Sequence, residues 1–186
     1  MKIELKNLEV NEKFSEETIM FMADVWIEGK KVAHAHNDGR GAQTYFNVYG
    51  GKNTKEFDEN NKLVDLAINY CETLPNETFT FESNGETRTI EVQSTLLNKI
   101  DQLVEKHINE KEDKRFEAQL KRDMKKYVCY TRDLSEVKSY GIVGAKKKNN
   151  FSLEQMSRNP QIKEAVLEHI KSLQEKGYRV LNQNLS

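Results

Sequence analysis

The sequence predicts an α+β protein: an N-terminal antiparallel β-meander with packed helices, a long central helix or helix pair, and a short C-terminal β/α segment. Three observations point there. Side chains follow a two-residue period over 2–10 and 17–28, and after a Glu-Gly-Lys turn the chain returns over 31–35, the pattern of a strand meander. A Leu/Ile stripe at helical spacing runs through 94–127. The remaining 128–186 mixes short β-runs with capped helices. These shifts divide the chain into 1–93, a sheet with one helix; 94–127, the long helix or pair; and 128–186, which together suit one domain with an appendage.

In order, Ile3, Leu5 and Leu8 share one side of the first strand, opposite Lys2, Glu4 and Lys6. Ile19, Phe21, Ala23, Val25 and Ile27 line one side of the second. Met20, Met22 and Trp26 line its other side, which suits a strand covered on both faces. Glu28-Gly29-Lys30 turns the chain into a third strand, Lys31 to Ala35. His34 to Gly51 reads as a turn and loop holding four of the nine glycines. Asn60 or Asn61 caps a helix to about Thr73, striped by Leu63, Val64, Ala67, Ile68 and Cys71 and ended by Leu74-Pro75.

Residues 78–83 and 87–92 flank Asn84-Gly85, a hairpin signal. Leu96, Leu97, Ile100, Leu103, Val104 and Ile108 then form one helical stripe, and Phe116, Leu120, Met124 and Tyr127 a second. Between them Asn109 to Arg115 is wholly polar. A continuous helix would be roughly 50 Å long at 1.5 Å per residue, so a break near 111 or a projecting arm is expected. Tyr127–Thr131 and Ser139–Val143 form a second hairpin before Gly144. Ser152 with Gln155 is a capping box, and Asn159-Pro160 a cap followed by proline at the first helical position. The last helix buries Ile162, Val166, Ile170 and Leu173, stops at Gly177, and gives way to a closing strand at Tyr178, Val180 and Leu181.

Hydrophobic residues make up 37% and charged residues 32%, so a core forms but much of the chain faces water. No run of 18 apolar residues exists, and no membrane partner is expected. The start, MKIELKNLEV, lacks the apolar core of a signal peptide. Cys71 and Cys129 have no metal-type spacing and read as reduced, buried thiols of a cytoplasmic protein. The net charge of −1 argues against a general nucleic-acid coat. It hides an asymmetry, however: residues 51–92 hold four basic and nine acidic side chains, residues 121–148 nine basic and three acidic ones. A focused anion site remains possible there.

The chemistry concentrates in HAHNDGRGAQTYFNVYGG, residues 34–51. His34 and His36 share a strand face and can hold a metal if a third ligand such as Asp38 joins them; otherwise they are surface or hydrogen-bonded histidines. Asp38-Gly39-Arg40-Gly41 is neither GxGxxG nor a P-loop. Its glycine amides and the Arg40 fork can still meet phosphate, with Tyr45, Phe46 and Tyr49 either stacking a base or filling space between sheet and helix. Lys121, Arg122, Lys125 and Lys126, with Arg132 and Lys146 to Lys148, form either a solvated face or a phosphate clamp. No nucleophile elbow, Cys-His arrangement or paired-carboxylate motif is present, and no cofactor is expected.

The pattern MKIELKN, EET-x-MFMADVWIEGKKVA and NDGRGA-x-x-Y, with the later LKRDMKKYVCYTRD and KGYRVLNQN, resembles a group of uncharacterised small bacteriophage proteins. That group carries an N-terminal strand meander, an EGK/DGK turn and an NDGxGG-like loop. This chain has Arg40 where a histidine is usual and Ala42 where a second glycine is usual. The resemblance implies a non-structural phage protein in the host cytoplasm, of the kind that counters host defence.

The expected function is therefore non-catalytic: capture of a cyclic or linear nucleotide signal by His36, Asn37, Arg40, Gly41 and Tyr45 with Arg122, Lys125, Lys126 and Lys146. Direct inhibition of a host defence protein is the alternative, with homodimerisation through the long helix compatible with either. A weaker alternative is a nucleotide-degrading enzyme with a metal on His34, His36 and Asp38.

Overall fold

The computed structural model describes residues 1–83, 85–135, 137–143 and 151–182, with backbone alone for 77 and 79. The protein is α+β and divides into two compact units, 1–109 and 110–186.

The first unit opens with the predicted meander, extended by one strand. β1 (Ile3–Val10), β2 (Phe21–Ile27), β3 (Lys30–Asn37) and β4 (Tyr45–Val48) form an antiparallel sheet in chain order. The fourth strand replaces part of the expected loop: Ala33 lies opposite Val48, Ala35 opposite Phe46 and His36 opposite Tyr45. Four residues of alternation beside a glycine-rich run are too few to separate a strand from a loop in the sequence.

One sheet face is apolar, and burying it assembles the core. Phe21, Ala23, Val25, Ile27, Ala33 and Ala35 pack with Val64, Ala67 and Cys71 of α1 (Lys55–Glu72) and with Leu96, Ile100 and Val104 of α2 (Leu96–Lys126). The opposite face is not sealed as the apolar residues on both sides of β2 suggested, since Met22 stays 45% exposed.

α1 starts nearly two turns earlier than expected. Thr54 is its cap, its hydroxyl accepting from Phe57 N at 3.2 Å, and Glu56 and Asp58 complement the helix dipole. Asn60 is no cap. It is fully buried inside the helix and donates Nδ2 to Tyr49 O at 3.0 Å, tying the end of β4 to α1. Gly50, at φ 108°, lets that junction lie flat; a Cβ there would sit 2.8 Å from Phe57 N.

β5 (Glu77–Ser83) and β6 (Glu86–Val92) pair as the predicted hairpin, with Gly85 at φ 78°; the turn's Asn84 lies outside the described residues. α2 is one uninterrupted helix, so the expected break near 111 is absent. Apart from Asp113, the polar stretch after Asn109 is made of Glu, Lys and Arg, which are strong helix formers even where no face is buried.

The second unit has its own core. β7 (Cys129–Thr131) pairs antiparallel with β8 (Gly141–Ile142) on one side and β9 (Arg179–Val180) on the other. α3 (Leu153–Arg158) carries the predicted Ser152/Gln155 capping box, and α4 (Pro160–Glu175) the Asn159 cap. Val128, Val143, Met156, Val166, Ile170 and Leu173 fill the interior. Gly144 and the loop of Lys146 to Asn150 lie outside the described residues. Cys71 and Cys129 are both free and buried, and burial pushes the Cys129 thiol up to about 11, which makes it unreactive. No helix among the described residues is long and apolar enough to cross a membrane.

One side chain ties this unit together. Asn182 accepts from Cys129 N at 2.7 Å and donates to Met124 O and Tyr127 O at 2.8 and 2.9 Å, so it pairs the end of α2 with β7. Asn182→Ala leaves one buried amide and two carbonyls unpaired, and should destabilise the unit by about 2–4 kcal/mol. A urea titration of the full chain reads this as a lowered midpoint for the transition that includes the second unit.

Candidate functional site

The glycine loop after β3 is organised from within. Asn37, 6% exposed, accepts on Oδ1 from Thr18 Oγ1 and Gly39 N, both at 2.8 Å, and donates Nδ2 to Ala42 O at 2.9 Å and, more weakly, to Thr44 Oγ1 at 3.5 Å. Gly41 N donates to Thr18 Oγ1 at 3.2 Å. The Gly39 carbonyl accepts from the amides of Glu16, Glu17 and Thr18. Gly39 and Gly41 adopt φ 81° and 83°, which favours glycine, and a Cβ on Gly41 would meet the Glu17 carboxylate. The amides expected to cradle a phosphate are thus already paired inside the loop, with a carboxylate beside them.

Beside this loop lies a recess of about 510 Å³. Its walls include Glu17, Thr18, Thr44, Asp101 and Glu105, and Ile19, Phe21 and Val104 supply its apolar lining. Thr44 Oγ1 donates to Asp101 Oδ1 at 2.5 Å, and burial raises the Asp101 carboxyl above its ordinary value against that bond.

The other side of the sheet has a different chemistry. His34, His36 and Tyr45 form a row of near-parallel rings, with centroids 5.9 and 5.1 Å apart and planes inclined by 26° and 18°. Tyr45 ends the row on the edge strand β4 and is 45% exposed. His36 Nδ1 is buried without a hydrogen-bond partner. On the same face Asp24 accepts from Tyr49 Oη and Asn7 Nδ2, both at 2.7 Å, and pairs with Lys31 Nζ at 2.9 Å, while His34 Nδ1 stands 4.0 Å away. Lys6 Nζ sits 3.5 Å over the Trp26 ring.

The residues expected to make one pocket are therefore divided. His36 and Tyr45 stand together on the exposed sheet face. Asn37 and Gly41 serve the loop and the recess on the other side. Arg40 is exposed and shares a shallow hollow with Phe14, Glu16, Met20 and Asp38. Arg122, Lys125 and Lys126 are exposed in the last turns of α2, within the second unit, where cations complement the helix C-terminus; Arg122 Nε also donates to Ala118 O. Lys146 lies outside the described residues. The metal trio of His34, His36 and Asp38 does not form: among the described residues no three His, Cys, Asp or Glu side chains are placed to hold an ion. Of the aromatics, Phe46 turns inward and packs against the core, as its space-filling alternative had it.

Sequence reasoning missed Thr18, Thr44 and Asp101. No local signal marks them, because their roles arise only when the loop closes against α2. Compared with protein families, curated proteins and solved structures, the chain matches none.

The Asp24 hydrogen bonds and the Lys31 ammonium hold its carboxyl down, from 3.8 to about 2. A carboxyl whose folded value is depressed adds stability above its unfolded value, and that stability is lost as pH falls through the folded one. Asp24→Asn should therefore be less stable than wild type at neutral pH, and the gap should narrow between pH 3.8 and about 2. Chemical denaturation across that range checks the sign.

Proposed function

We propose that this is a non-catalytic binding protein that sequesters a phosphate-bearing nucleotide, and that the ligand lies on the exposed face of the N-terminal sheet rather than in the glycine loop. The observation that supports this reading is the ring row ending at exposed Tyr45. A base stacked on the outer face of Tyr45 extends a stack the protein already holds in place, so little side-chain ordering remains to be done on binding. His34 lies alongside, and Lys31 and Lys6, which rest against Asp24 and the Trp26 ring, place cations on the same face for phosphate oxygens to compete for. The resemblance to small phage proteins supports a setting in the host cytoplasm, where removing a nucleotide signal silences a defence response.

A thermal-shift screen against cyclic and linear nucleotides, followed by recovery of the bound compound, tests this. One nucleotide should raise the melting temperature and come back intact. Tyr45→Ala should weaken that nucleotide by about 1–3 kcal/mol, the worth of one stacked base. Loss on Arg40→Ala with Tyr45→Ala unchanged would return the site to the loop. If no nucleotide shifts the protein, direct inhibition of a host defence protein becomes the better reading.

A further inference from the structure

We propose that the recess beside the glycine loop is a separate binding site, for a protonated organic amine with a short apolar tail. This goes beyond the nucleotide reading and does not depend on it.

The recess joins two kinds of surface. Glu17 enters from the segment before β2, and Asp101 and Glu105 sit one helical turn apart on α2, so three carboxylates from two elements border one cavity. Among the described residues that line it, none is Lys, Arg or His. The site therefore repels phosphates and draws cations. Ile19, Phe21 and Val104 give it an apolar side, which a hydrated metal ion would gain nothing from covering. A volume of about 510 Å³ falls within the range of small-molecule pockets. An ammonium with a hydrocarbon tail matches both surfaces at once: its three N–H donors meet carboxylates, and its tail covers the apolar side.

Asp101 is held ready for this. Asp101 takes one hydrogen bond from Thr44, whereas a carboxylate has room for about four. It is also partly withdrawn from water, so an incoming cation restores solvation that the fold removed. The carboxylate end of Glu17 reaches over Gly41, where no Cβ stands in its way. Gly41 thus leaves space for an acid, where the sequence suggested space for a phosphate.

Titration calorimetry on the full chain, with phenethylamine as the probe and 2-phenylethanol as its uncharged counterpart, decides the matter. Phenethylamine should bind saturably, and the alcohol at least about tenfold more weakly, because it lacks the charge-assisted hydrogen bonds. Asp101→Asn should cost the amine a similar factor while Tyr45→Ala leaves it unchanged, which separates this site from the sheet face. Should Asp101→Asn fail to fold, as near-UV circular dichroism would reveal, Glu105→Gln serves the same purpose from an exposed position. Equal binding of amine and alcohol, no binding of the amine, or full affinity in the folded carboxylate variants would overturn the proposal.

Discussion

The side chain of Asn37 is the constraint on which the candidate sites depend. An amide has an oxygen that accepts twice and a nitrogen that donates twice, and here all four capacities are spent within one loop and its neighbours. Aspartate could not donate, and a hydrophobic residue would leave Gly39 and Ala42 unpaired in a buried place. Through Thr44 the same network reaches Asp101, so the loop, the segment before β2 and α2 are joined by side chains of a few atoms each. A loop rich in glycine is usually read as pliant; this one is pinned from its centre.

Net charge is a poor guide to the electrostatics that results. On the ring-bearing face the carboxylate of Asp24 is matched by Lys31 and by two neutral donors, and its proton is correspondingly hard to add. On the recess side, Glu17, Asp101 and Glu105 have no cation among the lining residues. One acid is fully compensated and the others are not, although a four-stranded sheet is all that lies between them. The basic run that stands out in the sequence belongs to the second unit, at a helix end that favours positive charge in any case.

Much of the fold was legible because periodicity and capping are local. The meander, the Asn-Gly hairpin, the Ser152/Gln155 box and the Asn159-Pro160 start are each written in a handful of adjacent residues. Errors arose where a distant contact decides. Asn60 resembles a cap until it is seen to bond Tyr49 from inside a helix. Tyr45–Val48 resembles loop until β3 is there to pair with it. The site was half legible for the same reason. His36 and Tyr45 could be singled out by residue type, but that Asn37 and Gly41 serve the opposite side follows only from pairing register, and Asp101 looks like any solvated acid on a helix.

His36 and Asn37 are consecutive, yet one faces the rings and the other the loop network. The strand thus works as a parity code, with even positions 34 and 36 committed to one chemistry and odd positions 33, 35 and 37 to core and loop. Within the odd set Asn37 has no substitute, and the buried Ala33 and Ala35 leave little room for larger side chains. A residue gained or lost between His34 and Asn37 would turn imidazoles toward the core and alanines to water, whereas nearer the turn β3 already absorbs one extra residue in a bulge at Val32, so that Val32 and Ala33 are both buried. The end of β3 beside the turn is thus open to a change of length that the end bearing the histidines is not.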